Sequence, residues 1–249
     1  MADNIYESDR ILREYLLFHY GSATETLPWN FGPRDALGFA ARCVTELLDA
    51  AALLPGARAL DIGCSVGRSS FELARHCREV IGIDYSRTFV EAAEEIRRHG
   101  SLGYEYMIEG ERTESAEARV PDGVDASRVA FRCGDAMALP ANLGAFDVVL
   151  GANLLCRLPD PRVFLARLPS LVKPGGQLLL ATPFSWLEEF TSRDKWIGGR
   201  EGGSSRDELA RILRPDFRLD SEAELPFLIR EHCRKFQWSV AWGTRWTRL

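Results

Sequence analysis

The chain is short of lysine, of paired cysteines, of positive charge and of long apolar runs, and each shortage removes a class of protein. Lys173, Lys195 and Lys235 are the only lysines among 31 basic residues. Against 36 acidic residues this leaves a net charge of −5. That balance argues against a protein whose affinity comes from neutralising phosphates, and no basic appended segment is visible for gripping nucleic acid. The six cysteines are Cys43, Cys64, Cys77, Cys133, Cys156 and Cys233, and none forms a C-x-x-C pair. The four histidines, His19, His76, His99 and His232, show no H-x-x-x-H spacing. A bound zinc or iron is therefore not expected. Most of the cysteines lie in apolar or periodic segments, where a free thiol packs as a small hydrophobe, and the expected compartment is a reducing cytoplasm without disulfides. No apolar run reaches the roughly 18 residues of a bilayer span. The polar start, MADNIYESDR, does not read as a secretory signal.

What remains is an ordinary globular composition: 249 residues, 46% hydrophobic and 27% charged. It reads as one domain, 1–249, with a helical cover over 1–54 and a core over 55–249. Residues 9–20 (DRILREYLLFHY) carry apolar side chains at helical spacing, and 35–52 read as a second helix. Apolar strands then alternate with helices. The strands are 57–62, 80–84, 129–133, 146–151 and 176–182; the helices are 66–77, 87–98, 161–171 and 206–214; two late strands follow at 217–225 and 236–246. Near-continuous apolar strands between helices imply an α/β fold, a mostly parallel sheet covered on both faces. A polar, acidic stretch at about 101–128 interrupts the pattern and reads as a solvated excursion, with a substrate-covering lid as the alternative.

In such a sheet, ligands bind outside the carboxyl ends of the strands. The turn there is Asp61-Ile62-Gly63-Cys64-Ser65-Val66-Gly67. Its glycines permit tight turning and close approach to a ligand, and the helix that follows offers free N–H groups. Asp84 ends the next strand, where a carboxylate can accept both hydroxyls of a ribose. These features fit a dinucleotide or S-adenosylmethionine (SAM). Three details favour SAM. The turn lacks the third glycine of the G-x-G-x-x-G spacing. Gly134-Asp135-Ala136 follows the third strand, where a carboxylate and the next N–H can read an adenine edge. Lys173-Pro174-Gly175-Gly176 leads into the fifth strand.

In order and spacing these motifs resemble the class I SAM-dependent methyltransferases. The resemblance implies a Rossmann-like seven-stranded sheet of order 3-2-1-4-5-7-6, with the last strand antiparallel and helices on both faces. It implies SAM as cofactor, S-adenosylhomocysteine (SAH) as its product, and no metal. The cofactor contacts are expected at Asp61, Gly63, Cys64, Ser65, Gly67, Asp84, Tyr85, Asp135, Ala136 and Asn153, with Tyr20 on the covering helix.

The flanking segments are denser in aromatic and hydrogen-bonding residues than the cofactor motifs. They are Ser8–Gly21, Leu27–Arg34, Thr182–Thr191 and Leu225–Trp238. They resemble the methyltransferase domain of the ovothiol biosynthesis enzymes, from about Tyr6 to Trp246. That resemblance implies methyl transfer from SAM to the imidazole nitrogen nearest the side chain (Nπ) of 5-thiohistidine, giving ovothiol. Because the chain starts at the methyltransferase, the expectation is a stand-alone version supplied by a separate sulfur- or selenium-inserting enzyme, and 5-selenohistidine is an alternative acceptor. No nucleic-acid or membrane partner is implied.

A histidine derivative needs a cation for its carboxylate, an anion for its ammonium and aromatic walls for its ring. Arg10, Arg34 and Arg230 are candidates for the first, and Glu188 or Glu189 for the second. Asn153, His19 and Tyr15 are expected at the reacting centre, with His19 as an acceptor of the proton. Substrate contacts are expected at Tyr15, His19, Arg34, Trp186, Glu188 and Arg230. Trp186, Trp238 and Trp242 also fit ordinary core packing, and Arg157 reads as an exposed charge. Two competing readings keep the cofactor site: methyl transfer to oxygen or nitrogen of another small molecule, and a SAM-binding regulator without chemistry.

Overall fold

The inner parallel strands of the central sheet are mostly apolar and buried because both of their faces are covered. The computed structural model describes residues 5–200 and 203–249, so residues 1–4 of the expected helical cover lie outside the described residues. In chain order the elements are α1 (Asp9–Tyr20), α2 (Ala23–Thr26), α3 (Phe39–Thr45), β1 (Arg58–Ile62), α4 (Arg68–Leu73), β2 (Glu79–Asp84), α5 (Arg87–His99), β3 (Ser101–Glu109), β4 (Arg112–Arg119), β5 (Val129–Cys133), β6 (Phe146–Ala152), α6 (Pro161–Leu171), β7 (Val172–Thr182), α7 (Ser205–Leu213), β8 (Phe217–His232) and β9 (Lys235–Arg248).

Seven strands form one sheet in the order β5-β2-β1-β6-β7-β9-β8. Counted without the β3–β4 pair, this is the 3-2-1-4-5-7-6 order of a Rossmann-like methyltransferase fold. The first five are parallel and β9 runs antiparallel to both neighbours. Alternate residues feed two cores. Ala59, Val80, Val148, Leu150 and Leu179 pack with Phe71, Phe89 and Ile96 on one face. Leu60, Ile62, Ile81, Val149 and Leu178 pack with Phe164, Leu168 and Trp246 on the other. The helix starts carry local signals. The Ser8 hydroxyl accepts from the Ile11 N–H, Ser86 caps α5, and Asp160 followed by Pro161 opens α6.

Three stretches differ from the sequence reading. The expected helix over 35–52 is broken into a 3-10 turn at Arg34–Ala36, α3, and a second 3-10 turn at Ala50–Ala52. Gly38, at φ +67°, restarts the chain before α3. Beyond α3, both backbone polar groups of Asp49 pair with the Gln177 side chain at 2.9 Å and leave the helical pattern. The polar stretch at 101–128, expected as a solvated excursion, is largely exposed but regular. It folds as the antiparallel pair β3–β4, with Tyr104, Tyr106 and Ala118 buried. Its period-two alternation is masked by its charge. The late strands are longer than expected, and their tip bonds to this pair through the Cys233 N–H and the Ile108 carbonyl at 3.0 Å.

Among the described residues no helix is long and apolar enough to cross a membrane, and no group of three His, Cys, Asp or Glu could hold a metal ion.

Candidate functional site

Four consecutive strand ends and the helix laid over them enclose a cavity of about 550 Å³. That volume is within the range of small-molecule sites. The floor comes from the turn after β1. Gly63 and Gly67 sit at φ +75° and +88°, where only glycine is unstrained. A side chain at Gly67 would also meet the Phe131 ring at 2.5 Å. Between them Ser65 adopts φ +51° despite its side chain, an unfavourable conformation held by its surroundings. Its N–H donates to Asp84 Oδ2 at 2.8 Å.

Asp84 closes β2 and lines the cavity. Its other oxygen accepts from the Ser86 N–H at 2.9 Å. Burial pushes the carboxyl up to about 6, and these N–H groups restrain the rise. Each carboxylate oxygen retains capacity for a further donor, as a ribose hydroxyl would supply. Beyond β5, Asp135 and Ala136 line the wall. Asp135 Oδ1 accepts from the Met137 N–H at 2.8 Å. Tyr85 also lines the cavity and is two-thirds exposed, at 67%. Asn153 follows β6 at φ +53°, with its N–H bonded to the Ala181 carbonyl at 2.7 Å.

Five buried side-chain polar atoms among the described residues lack a partner, and three of them line this cavity: His19 Nδ1, Ser65 Oγ and Asn153 Oδ1. Buried polar atoms are almost always paired, so their gathering here marks a place where a polar ligand completes the bonding. A ligand with a ribose, an adenine edge and an amino-acid tail, as SAM has, matches the carboxylate, the Asp135–Ala136 edge and the orphaned hydroxyl and amide.

His19 and Tyr15 reach the cavity from α1. Burial, helped by the positive Arg68, pushes the His19 imidazole down to about 3. The ring is therefore neutral, and so weak a base holds a proton poorly; it suits a hydrogen bond better than the proton acceptance expected of it. Burial raises the Tyr15 hydroxyl well above its ordinary value and keeps it protonated.

Other expected contacts have structural work and do not line the cavity. Asp61 is buried and accepts from Ser69 and Ser70 at 2.8 and 2.6 Å, which ties α4 to β1. Burial pushes its carboxyl up to about 6. Cys64 is enclosed in the core. Gly67 faces Phe131. Tyr20 donates to the Val66 carbonyl at 2.7 Å and pins α1 to the turn. These four shape the site from behind.

The acceptor side needs more correction. Arg34 donates to the Trp29 carbonyl at 2.7 Å. Trp186 donates to Ser205 Oγ at 3.1 Å. Glu188 is exposed and outside the cavity wall, which its neighbour Glu189 joins instead. Arg230 is 3% exposed and bonds to the Glu25 and Met107 carbonyls beneath the Tyr106 ring. Trp186 and Arg230 are held by partners distant in sequence that motif reading does not register. Arg10 pairs with Glu14 and Glu231. Conversely, Arg157, read as an exposed charge, lines the cavity with Tyr6, Phe89 and Phe190. The signal for it was its place: four residues past Asn153, in the turn that leaves the carboxyl end of β6.

Comparison with known proteins agrees with the fold. Residues 60–180 match the family described as "Methyltransferase domain". A ubiquinone biosynthesis O-methyltransferase of Xanthomonas campestris pv. campestris (strain B100) is 29% identical over 151 residues, 61% of this chain and 53% of that protein. One of the same description from Coxiella burnetii (strain Dugway 5J108-111) is 27% identical over 129 residues, 52% of this chain and 44% of its own. The chain thus spans about half the length of the curated relatives it matches. Among solved structures, magnesium protoporphyrin IX methyltransferase from Synechocystis PCC 6803 with bound SAH superposes with TM-score 0.60 at 20% identity, covering 98% of this chain and 96% of that one. The [4+2]-cyclase SpnF superposes with TM-score 0.60 at 17% identity, covering 98% and 94%. One fold thus carries different reactions, and the acceptor has to be argued from the site.

Proposed function

From a chain that carries a SAM-dependent methyltransferase domain on the class I fold, we propose a small-molecule N-methyltransferase that methylates the imidazole Nπ of 5-thiohistidine. The observation that supports a nitrogen acceptor is the state of His19. The imidazole in the cavity is held neutral down to about pH 3, and the Tyr15 hydroxyl is held protonated. Neither is suited to remove a proton from a phenol, whose pKa is about 10. A neutral imidazole nitrogen already presents a lone pair and needs no such base. The thiohistidine acceptor rests on the aromatic flanking segments and their likeness to the ovothiol methyltransferase domain. Three of these segments contribute to the cavity wall, through Tyr15 and His19, through Glu189 and Phe190, and through Ile229.

Bound SAM supplies an electrophilic methyl carbon on a sulfonium. Its methyl would pass to the acceptor nitrogen with SAH as the leaving group, and the methylated ring would release one proton to water. The work left to the protein is positioning and exclusion of water. Asp84 and Asp135 hold the nucleoside end. Asn153 and His19 offer amide and ring nitrogen to orient the acceptor, and the Tyr15 ring supplies an aromatic wall. The Tyr20 hydroxyl, committed to the turn, takes no part in that orientation.

A thiolate on the ring adds a polarizable anionic edge that fixes which nitrogen faces the methyl group. Without it, donors in the pocket stay unpaired, at a cost of about 1–3 kcal/mol each. Thiohistidine should therefore exceed histidine in kcat/KM by about tenfold or more per lost contact. A selenolate offers the same kind of edge, so 5-selenohistidine is accepted by the same pocket. Turnover of thiohistidine, histidine, thiols without the amino-acid group and phenols, followed by mass spectrometry, tests the reading. Equal rates on histidine and thiohistidine count against it. A second reading, transfer to a phenolic oxygen, is favoured by the ubiquinone biosynthesis O-methyltransferases among the relatives; turnover of phenols alone would select it.

A further inference from the structure

Arg157 occupies the cavity wall in an arrangement that leaves one of its three guanidinium nitrogens without a partner among the described residues. Nε donates to the Tyr6 hydroxyl at 3.2 Å. Nη1 donates to the Cys156 carbonyl at 3.1 Å and to the Ser185 carbonyl at 3.2 Å. The group stacks over the Phe190 ring, 4.8 Å from its centroid. Among the described residues Nη2 makes no hydrogen bond and no carboxylate pairs with Arg157. Most arginines at the surface of this protein pair with a nearby carboxylate, as Arg42 does with Glu46 and Arg211 with Glu208. Here a partly buried cation that lines the cavity is fixed on one edge by backbone carbonyls and a phenol, and its other edge is unbonded among the described residues. The positive charge and the two N–H groups of Nη2 suit a carboxylate. On the same wall Glu189 is exposed and makes no ion pair among the described residues, which suits an ammonium beside that carboxylate.

We propose that Arg157 recognises the carboxylate of the methyl acceptor, and with Glu189 reads an α-amino-acid head group. The proposal rests on the reading of the cavity as a methyltransferase site. SAM has a carboxylate of its own, but the positions of the contacts favour the acceptor. Arg157 is held by Tyr6, Ser185 and Phe190, in the N-terminal cover and the segment after β7. It bonds to none of the turns at Gly63–Ser65, Asp84–Ser86 or Gly134–Ala136 that serve the cofactor. The free edge of the guanidinium thus belongs to the part of the cavity built by the flanking segments.

The test uses the full chain saturated with SAH and matched ligands that differ only in the carboxylate: L-histidine against histamine, by calorimetry. Wild type should bind the carboxylated partner about tenfold tighter or more, the range for a charged hydrogen bond. Arg157→Gln should abolish the preference while leaving SAH affinity unchanged; the thermal midpoint falls because the Cys156 and Ser185 carbonyls lose their donor, so binding is compared on protein held well below that midpoint. Arg157→Lys keeps the charge but loses the fixed Nη2 donors, and should retain part of the preference; it carries the test if the glutamine variant does not fold. Equal or undetectable binding of the two ligands by wild type overturns the proposal, as does a preference that survives in Arg157→Gln. A fall in SAH affinity with the acceptor preference intact assigns Arg157 to the cofactor and also overturns it. Turnover of 5-thiohistidine is measured in parallel. A carboxylate preference without that turnover supports the role of Arg157 while rejecting thiohistidine as the acceptor.

Discussion

At the sheet end of the cavity the ligand-facing groups belong to short turns, each following a strand: Gly63 and Ser65, Asp84 and Tyr85, Asp135 and Ala136. Their positions follow from the backbone, because a parallel sheet aligns its strand ends and the turns have little freedom beyond them. At the other end the wall comes from the N-terminal turn with Tyr6, from α1, from the turn after Asn153, from the segment after β7 and from β8. These pieces lie as far apart in sequence as Tyr6 and Ile229. Which of their side chains face inward is decided by how the pieces dock. The two ends therefore differ in what carries the information: local turn geometry at one, long-range packing at the other.

The largest expected effect lies at the sheet end. Asp84→Ala should weaken SAH binding by about 1.5–3 kcal/mol, the range for hydrogen bonds to a charged group, as measured by calorimetry on the folded variant. Wild-type affinity in that variant would break the comparison, since the best-defined turn would then contribute nothing. Next comes Arg230, which was expected at the acceptor and instead ties β8 to the carbonyls of Glu25 and Met107. Arg230→Ala should lower unfolding stability by about 1–3 kcal/mol, because the freed carbonyls lose their donor. Its kcat/KM per folded molecule should stay near wild type; a selective rise in acceptor KM without loss of stability would return Arg230 to the site.

A pH series sharpens the same contrast. The Asp84 carboxyl is pushed up to about 6 in the folded protein, above the ordinary value near 3.9. In the proposed role its ionised form accepts the ribose hydroxyls, so affinity for SAH should be full above pH 7. It should fall as pH drops through about 6, by up to about tenfold per unit below it. In Asp84→Asn the slope from this group should vanish. The raised value carries the opposite sign for folding: between about 4 and 6 the folded state holds a proton that the unfolded state has lost, so ionisation of Asp84 lowers stability as pH rises through that window. A flat binding profile in wild type would remove Asp84 from the ribose. The smallest effect belongs to Glu188→Ala. The side chain is exposed and off the cavity wall, and kinetics with any acceptor should not change.

The same contrast explains what was legible in the sequence. Strand order and the cofactor turns could be read because apolar runs, Gly63, Asp84 and the Lys173–Gly176 lead-in are local signals. Even there, Asp61, Cys64, Gly67 and Tyr20 support the turn rather than face the cavity, because sequence spacing does not distinguish the two sides of a turn. On the acceptor side, an arginine at Arg34 or Arg230 reads no differently from one at Arg157. What separates them is three-dimensional: the Trp29 carbonyl captures the first, the β3–β4 pair surrounds the second, and the third keeps a free edge. The helix expected over 35–52 failed for a similar reason, since Gln177 reaches Asp49 from 128 residues away.

The central claim, methyl transfer from SAM to a ring nitrogen of a thiolated histidine, is tested most directly by the regiochemistry of the product. The full chain is incubated with 5-thiohistidine and SAM carrying an isotope-labelled methyl carbon, and the product is read by heteronuclear NMR. The account predicts a single N-methyl signal correlated with the imidazole carbons flanking Nπ, with histidine giving little or none. A methyl on the far nitrogen or on sulfur, or no transfer at all from a protein that binds SAM, would contradict it.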